Sequence, residues 1–73
     1  MLKPIVIFGA GGFAREVLQV VLDINEKAAT WQVIGFVVDS GHSTQPVHDL
    51  PVVGGIEWLA QHPETHAVIA VGS

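Results

Sequence analysis

The chain has no cysteine. That excludes a disulfide framework, a cysteine-based zinc site and a thiol nucleophile. It is also poor in positive charge. Lys3, Arg15 and Lys27 are its only basic residues, they do not cluster, and the net charge is −4. Nucleic-acid binding usually needs a basic patch, so that function is disfavoured. No long hydrophobic run is present. The apolar stretch after Met1 breaks at Gly9, too soon for a secretory core or a membrane span. No membrane association is expected, and the cytoplasm is the default location. Charged residues are scarce at 14%, whereas hydrophobic residues reach 49% in only 73 positions. Small domains have much surface to cover with polar groups. So apolar a chain is therefore expected to be part of something larger, either a longer polypeptide or an assembly.

What is present begins with Ile5-Val6-Ile7-Phe8-Gly9-Ala10-Gly11-Gly12-Phe13-Ala14-Arg15-Glu16. A β-branched apolar run over Pro4–Phe8 predicts a fully buried parallel strand ending at glycine. Ala14, Val17, Leu18, Val21 and Ile24 recur at helical spacing and predict a helix from Gly12 to about Asn25 with one wide apolar face. Asn25 to Thr30 is a polar connection. A second buried run, Val33–Val38, is interrupted only by Gly35 and ends at Asp39. Ser40 to Leu50 has no period and reads as a loop. Pro51–Val53 predicts a short third strand stopping at Gly54-Gly55, Ile56–Gln61 a short helix limited by Pro63, and Ala67–Val71 a fourth strand with both faces covered.

The order β-α-β-loop-β-α-β defines an α/β, Rossmann-like parallel sheet with right-handed crossovers. The first strand should be central, between the second and the fourth. Ligands of such sheets bind beyond the C-terminal strand ends, where Gly9, Asp39, Gly54 and Gly72 all fall.

Gly9, Gly11 and Ala14 fit the spacing G-x-G-x-x-[G/A]. Such a turn lets backbone approach a phosphate, and the helix behind it offers unpaired N–H groups and a partial positive charge. No Gly-Lys-Ser/Thr follows, so this is not an NTP-hydrolysing P-loop. Asp39 suits ribose hydroxyls, although it lies further from the glycines than the usual spacing of about 20 residues; capping a loop is the plainer role. Arg15 could reach a diphosphate or be solvated beside Glu16, which itself suits the helix dipole. Gly54-Gly55 reads as a turn allowing close approach to the following helix, and Gly72-Ser73 could touch ligand. His42, His48, His62 and His66 form no metal-binding pattern and read as surface residues, with only His42 near the crevice edge. Trp31 and Trp58 read as core or interface anchors. No Ser-His-Asp set or paired carboxylates assemble, so no catalytic or metal-binding residue is assigned.

The opening segment from Lys3 to Val17, together with Val33–Asp39, Leu50–Gly55 and Val68–Gly72, resembles the N-terminal domain of bacterial sugar acetyltransferases of the NeuD/PglD family. That family includes sialic acid O-acetyltransferases and UDP-4-amino-sugar N-acetyltransferases. The resemblance implies an acceptor-binding domain for a UDP-sugar or sialic acid-type substrate in bacterial glycan biosynthesis. Gly9, Gly11, Gly12 and Phe13 would cradle the sugar nucleotide, with Ala14, Arg15, Ser40 and Gly72 at the same edge. Asp39 would contact uridine or ribose. It further implies a C-terminal left-handed β-helix of hexapeptide repeats that binds acetyl-CoA, supplies a histidine general base and builds a homotrimer. Two departures stand out. Ser40 occupies the place of a second acid found in many members, and the repeats and their histidine are absent from the 73 residues. A fragment, residues 1–73 being the Rossmann-like domain, is therefore expected. The competing readings are an NAD-binding half-domain of a dehydrogenase and a regulatory or assembly module without turnover.

Overall fold

The computed structural model describes residues 2–9, 11–38 and 50–70. Strand β1 (Lys3–Phe8) leads into helix α1 (Gly12–Lys27), followed by β2 (Trp31–Val37), β3 (Val52–Gly54), α2 (Ile56–Gln61) and β4 (His66–Ile69). The strands form one sheet in the order β3-β2-β1-β4, all pairs parallel. The central place of β1 between β2 and β4 is the arrangement expected from the alternating pattern.

Side-chain alternation sorts the sheet into two faces. Ile7 and Phe36 are register partners, and both join Ala14 and Leu18 of α1 in the core, with Val17, Val33, Val52 and Val68 packed around them. Gly54 pairs with Val37 and abuts Trp58 of α2. Neighbours along a strand point to opposite faces, so Val37 and Gly54 lie on the other side from Phe36. The two helices thus cover opposite faces, as right-handed crossovers running in opposite directions along the sheet require.

β1 contains Pro4, an unusual residue for a central strand because it cannot donate to the ladder. The Lys3 N–H donates to Thr30 O at 2.9 Å on the β2 side, and Phe8 O accepts from Ala70 N at 2.8 Å on the β4 side. Alternation turns Pro4 toward β4, whose pairing with β1 starts only at Ile5. The missing donor therefore has no ladder partner to lose.

The boundaries differ from those read from periodicity in instructive places. α1 continues two residues past Asn25, and β2 begins at Trp31 rather than Val33 because Trp31 and Gln32 pair with Lys3 and Pro4. Asn25 organises this junction. Its Oδ1 accepts from the backbone N–H groups of Thr30 (3.1 Å) and Trp31 (2.9 Å), and its Nδ2 donates to Trp31 O at 2.7 Å. One amide side chain, carried by α1, supplies partners to three backbone groups at the start of β2. Asn25→Ala should destabilise the fold by about 2–3 kcal/mol, since part-buried backbone groups lose partners. Asn25→Asp, which keeps the acceptor and loses the donor, should fall between the two. Urea unfolding of the three proteins reads this order.

Two expectations about burial are corrected. Ala14, Leu18 and Val21 are buried as predicted and Val17 is half-buried, but Ile24 is 41% exposed. The fourth strand was expected to be covered on both faces. Val68 does pack on the α1 side, yet Ala67 is exposed and Ile69 is 66% exposed. Both belong to the α2 face, and α2 is only six residues long and sits over β3.

Candidate functional site

The chain passes from β1 to β2 on one side of the sheet and from β3 to β4 on the other. Strand order therefore reverses at β1/β4, and α/β folds place ligands at the C-terminal ends of strands flanking such a reversal. Gly9, Val38, Gly54 and Ala70 close this edge of the sheet. Gly9 N donates to Val37 O (2.8 Å), Val38 N to Gly54 O (3.0 Å) and Ala70 N to Phe8 O (2.8 Å). These bonds hold the strand ends in register at the base of the crevice.

The three positions of the glycine motif have separable physical reasons. Gly9 has φ 126°, a left-handed conformation that side chains disfavour, so it serves the tight turn. Gly11 has ordinary extended angles (φ −85°, ψ −163°), and a Cβ added to it would meet none of the described residues beyond its chain neighbours within 4 Å; the same holds for Gly12. Nothing described in the fold requires these two residues to lack a side chain. Ala14 is fully buried against Ile7 and Phe36, where a larger side chain would push α1 off the sheet. Turn, open approach and close helix–strand packing are the three functions a phosphate-binding fingerprint needs.

The electrostatics agree with an anion at this point. Gly11 caps α1 without a side-chain hydrogen bond, and no acidic residue lies in the first turn. Among the described residues no side chain accepts from the first N–H groups of this 16-residue helix. Phe13 is 47% exposed beside them, and Arg15 is exposed one residue after Ala14.

A second strand–glycine–helix turn supplies an internal control. At β3–Gly54-Gly55–α2, an added Cβ on Gly54 would come within 2.9 Å of Trp58 Cβ, and one on Gly55 within 3.1 Å of a Glu57 carboxylate oxygen. These glycines answer to packing, as the sequence pattern suggested, and an acid already occupies the helix start. The two turns look alike in sequence, yet among the described residues the first is open and its first helical turn acid-free, whereas the second is filled.

The structure brings Gly9, Gly11, Gly12, Phe13, Ala14 and Arg15 together in one turn and its helix. Asp39, Ser40 and Gly72, together with His42 and His48, lie outside the described residues. His62 is not simply a surface residue: it is half-buried, stacked on Trp58 at 3.9 Å, and its Nδ1 lies 2.8 Å from Trp58 O. His66 is exposed and meets Trp31 edge-on at 5.3 Å. Among the described residues no group of three or more metal-ligating side chains occurs, and no helix is long and apolar enough to cross a membrane. Reading the sequence did not single out Gly35 or Asn25. An isolated glycine inside an apolar strand pattern was the available signal for the former.

Sheet order, crossovers and the glycine turn define the class: an α/β unit of Rossmann-like architecture. Within that class, the model of the PglD N-terminal domain family matches residues 4–73. The chain belongs to this family, the N-terminal domain of PglD/NeuD-like acetyltransferases. No curated protein matches the sequence.

Proposed function

We propose that this chain is the acceptor-binding portion of an acetyl-CoA-dependent sugar O- or N-acetyltransferase of bacterial glycan biosynthesis. Its ligand is a UDP-sugar, with the diphosphate against Gly9, Gly11 and Gly12 and the first N–H groups of α1. The observation that carries this reading is the unfilled space above Gly11 and Gly12 at an acid-free helix start. Arg15 adds a positive charge on the same turn, and Phe13 offers an apolar surface to the sugar or base. Asp39, Ser40 and Gly72 are assigned to the nucleoside side by resemblance.

The second glycine turn is filled by Trp58 and Glu57, and acetyl-CoA is assigned to the β-helix domain that the family resemblance implies. The whole protein, in this reading, is a cytoplasmic homotrimer.

Heteronuclear NMR titration of the chain with UDP, a UDP-sugar and NAD in parallel tests the assignment. UDP ligands should shift the amides of Gly9, Gly11, Gly12 and Arg15, and NAD should not. Shifts with NAD alone would place the domain among dehydrogenase half-domains. No shift with any ligand would favour an assembly module.

A further inference from the structure

α1 buries Ala14, Leu18 and Val21 against the sheet, but its apolar surface does not end there. Phe13, Val17, Val20 and Ile24 recur along it at intervals of four, three and four residues. That is the spacing of a coiled-coil seam, with Phe13 and Val20 at d positions and Val17 and Ile24 at a positions. Phe13, Val20 and Ile24 are exposed, Val20 at 56%, and Val17 is half-buried. The e positions beside the seam are Ala14 and Val21, which the sheet covers. The g positions are Glu16 and Asp23, both exposed and both acidic. Asp23 accepts a hydrogen bond from Gln19 at 2.9 Å, and among the described residues neither carboxylate has a cationic partner.

We infer that this seam docks a basic amphipathic helix of another protein, with apolar residues at its own a and d positions and Lys or Arg along the edge that meets Glu16 and Asp23. The spacing selects a helix. The ridge runs about 16 Å along α1 and offers holes for a helix's knobs, whereas a strand would need free backbone groups to pair with. The charge selects a basic one. A helix can meet charge only along the Glu16–Asp23 edge, because the other edge of the seam is the sheet. A second copy would bring acid to acid there, with −4 on each chain. The rest of this chain supplies no complement either: residues 39–49 and 71–73 contain no Lys or Arg, and Val47 and Val71 are their only large apolar residues. An exposed apolar ridge edged by one sign of charge fits a partner of the opposite sign. The inference does not rest on the nucleotide reading, since Val20, Asp23 and Ile24 lie two turns or more along α1 from Gly12.

Two synthetic three-heptad helices serve as probes, both with Leu at a and d, one with Lys and the other with Glu at e and g. In an NMR titration the Lys probe should shift the amides of Glu16, Val17, Val20 and Ile24, with a dissociation constant on the order of 0.1 mM. That constant should rise at least about threefold between about 0.05 M and 0.5 M salt, and the Glu probe should leave the amides unmoved. Glu16→Lys combined with Asp23→Lys should exchange the two preferences, weakening the Lys probe at least about tenfold. Both side chains are exposed, so the fold survives the exchange. Because the chain has no cysteine, Val20→Cys offers one labelling site. Maleimide should react with it freely in the protein alone and slowly once the Lys probe is bound. Slow labelling without a probe would mean that a second copy or the protein's own residues cover the seam. That result, equal binding or no binding of the two probes, or a Lys probe retained by the charge-reversed protein would overturn the inference.

Discussion

Gly35→Ala lowers the melting temperature by roughly 12–24 °C, and Gly35→Val leaves no cooperative transition. That is the expected result of placing any Cβ at this point of β2. The added atom would land on the backbone carbonyl oxygen of Pro51 and within 3.1 Å of Val53 Cγ1. The Pro51 oxygen is also the acceptor for Phe36 N at 2.9 Å, so moving it away breaks the bond that starts the β2–β3 contact. Gly35 also sits at a register shift. Ile5 pairs with Val33 but Val6 pairs with Gly35, leaving Ile34 as an extra residue. Bulges of this kind re-aim the side chains that follow. Here the extra residue lets both Val33 and Phe36 join the α1 face, where Phe36 is fully buried. Overpacking against backbone costs about 3 kcal/mol or more, and a domain of this size loses about 4–8 °C per kcal/mol. The total stability of such a chain is on the order of 4–11 kcal/mol, so valine exceeds what it can absorb. Thermal unfolding followed by far-UV circular dichroism is the measurement. A loss below about 4 °C for the alanine variant would show that Pro51 and β3 yield easily.

That bulge marks where reading the sequence stopped short. β1 and α1 were legible because their signals are local: a continuous β-branched run, then apolar residues at helical spacing. The sheet order followed from crossover handedness, a rule of chain chirality rather than of particular side chains. The Ile34 bulge was not legible, because it is settled between strands, by where the Pro51 carbonyl lies. The start of β2 was missed for a similar reason. Trp31 and Gln32 fall between the polar connection and the apolar run, and only Lys3, Pro4 and the Asn25 amide give their backbone partners. Apolar content of β4 correctly identified a strand but not its environment. Val68-Ile69-Ala70 is as hydrophobic as β1, yet whether a strand is covered depends on the length of the helix beside it. At the glycine turn, the positive φ of Gly9 and the close packing of Ala14 follow the spacing of the motif, because each is settled at its own position. The difference between the two glycine turns does not. It depends on Trp58 and Glu57 closing one turn and on no described residue closing the other.

The openness of the first turn leads to the second large effect. Gly12→Ala should separate folding from ligand binding. Gly12 is the first residue of α1, and its added Cβ would enter space that no described residue beyond its chain neighbours approaches within 4 Å. Exchange of glycine for alanine at a compatible helical position removes freedom from the unfolded chain and stabilises by about 0.4–1 kcal/mol. The melting temperature should therefore rise by about 2–8 °C. A diphosphate held against the N–H groups of the same turn needs that space, and the methyl group would lift it away. Losing one charge-assisted hydrogen bond is worth about 1.5–3 kcal/mol, so affinity for a UDP-sugar should fall by roughly 10–100-fold. Calorimetric titration and thermal unfolding on the same protein read the two quantities independently. Gly54→Ala supplies the opposite control, because its Cβ meets Trp58 at 2.9 Å: it should lower stability while any folded fraction keeps its affinity. If Gly12→Ala bound the UDP-sugar as tightly as the parent, the diphosphate would not lie on this turn, and the space above Gly11 and Gly12 would need another occupant.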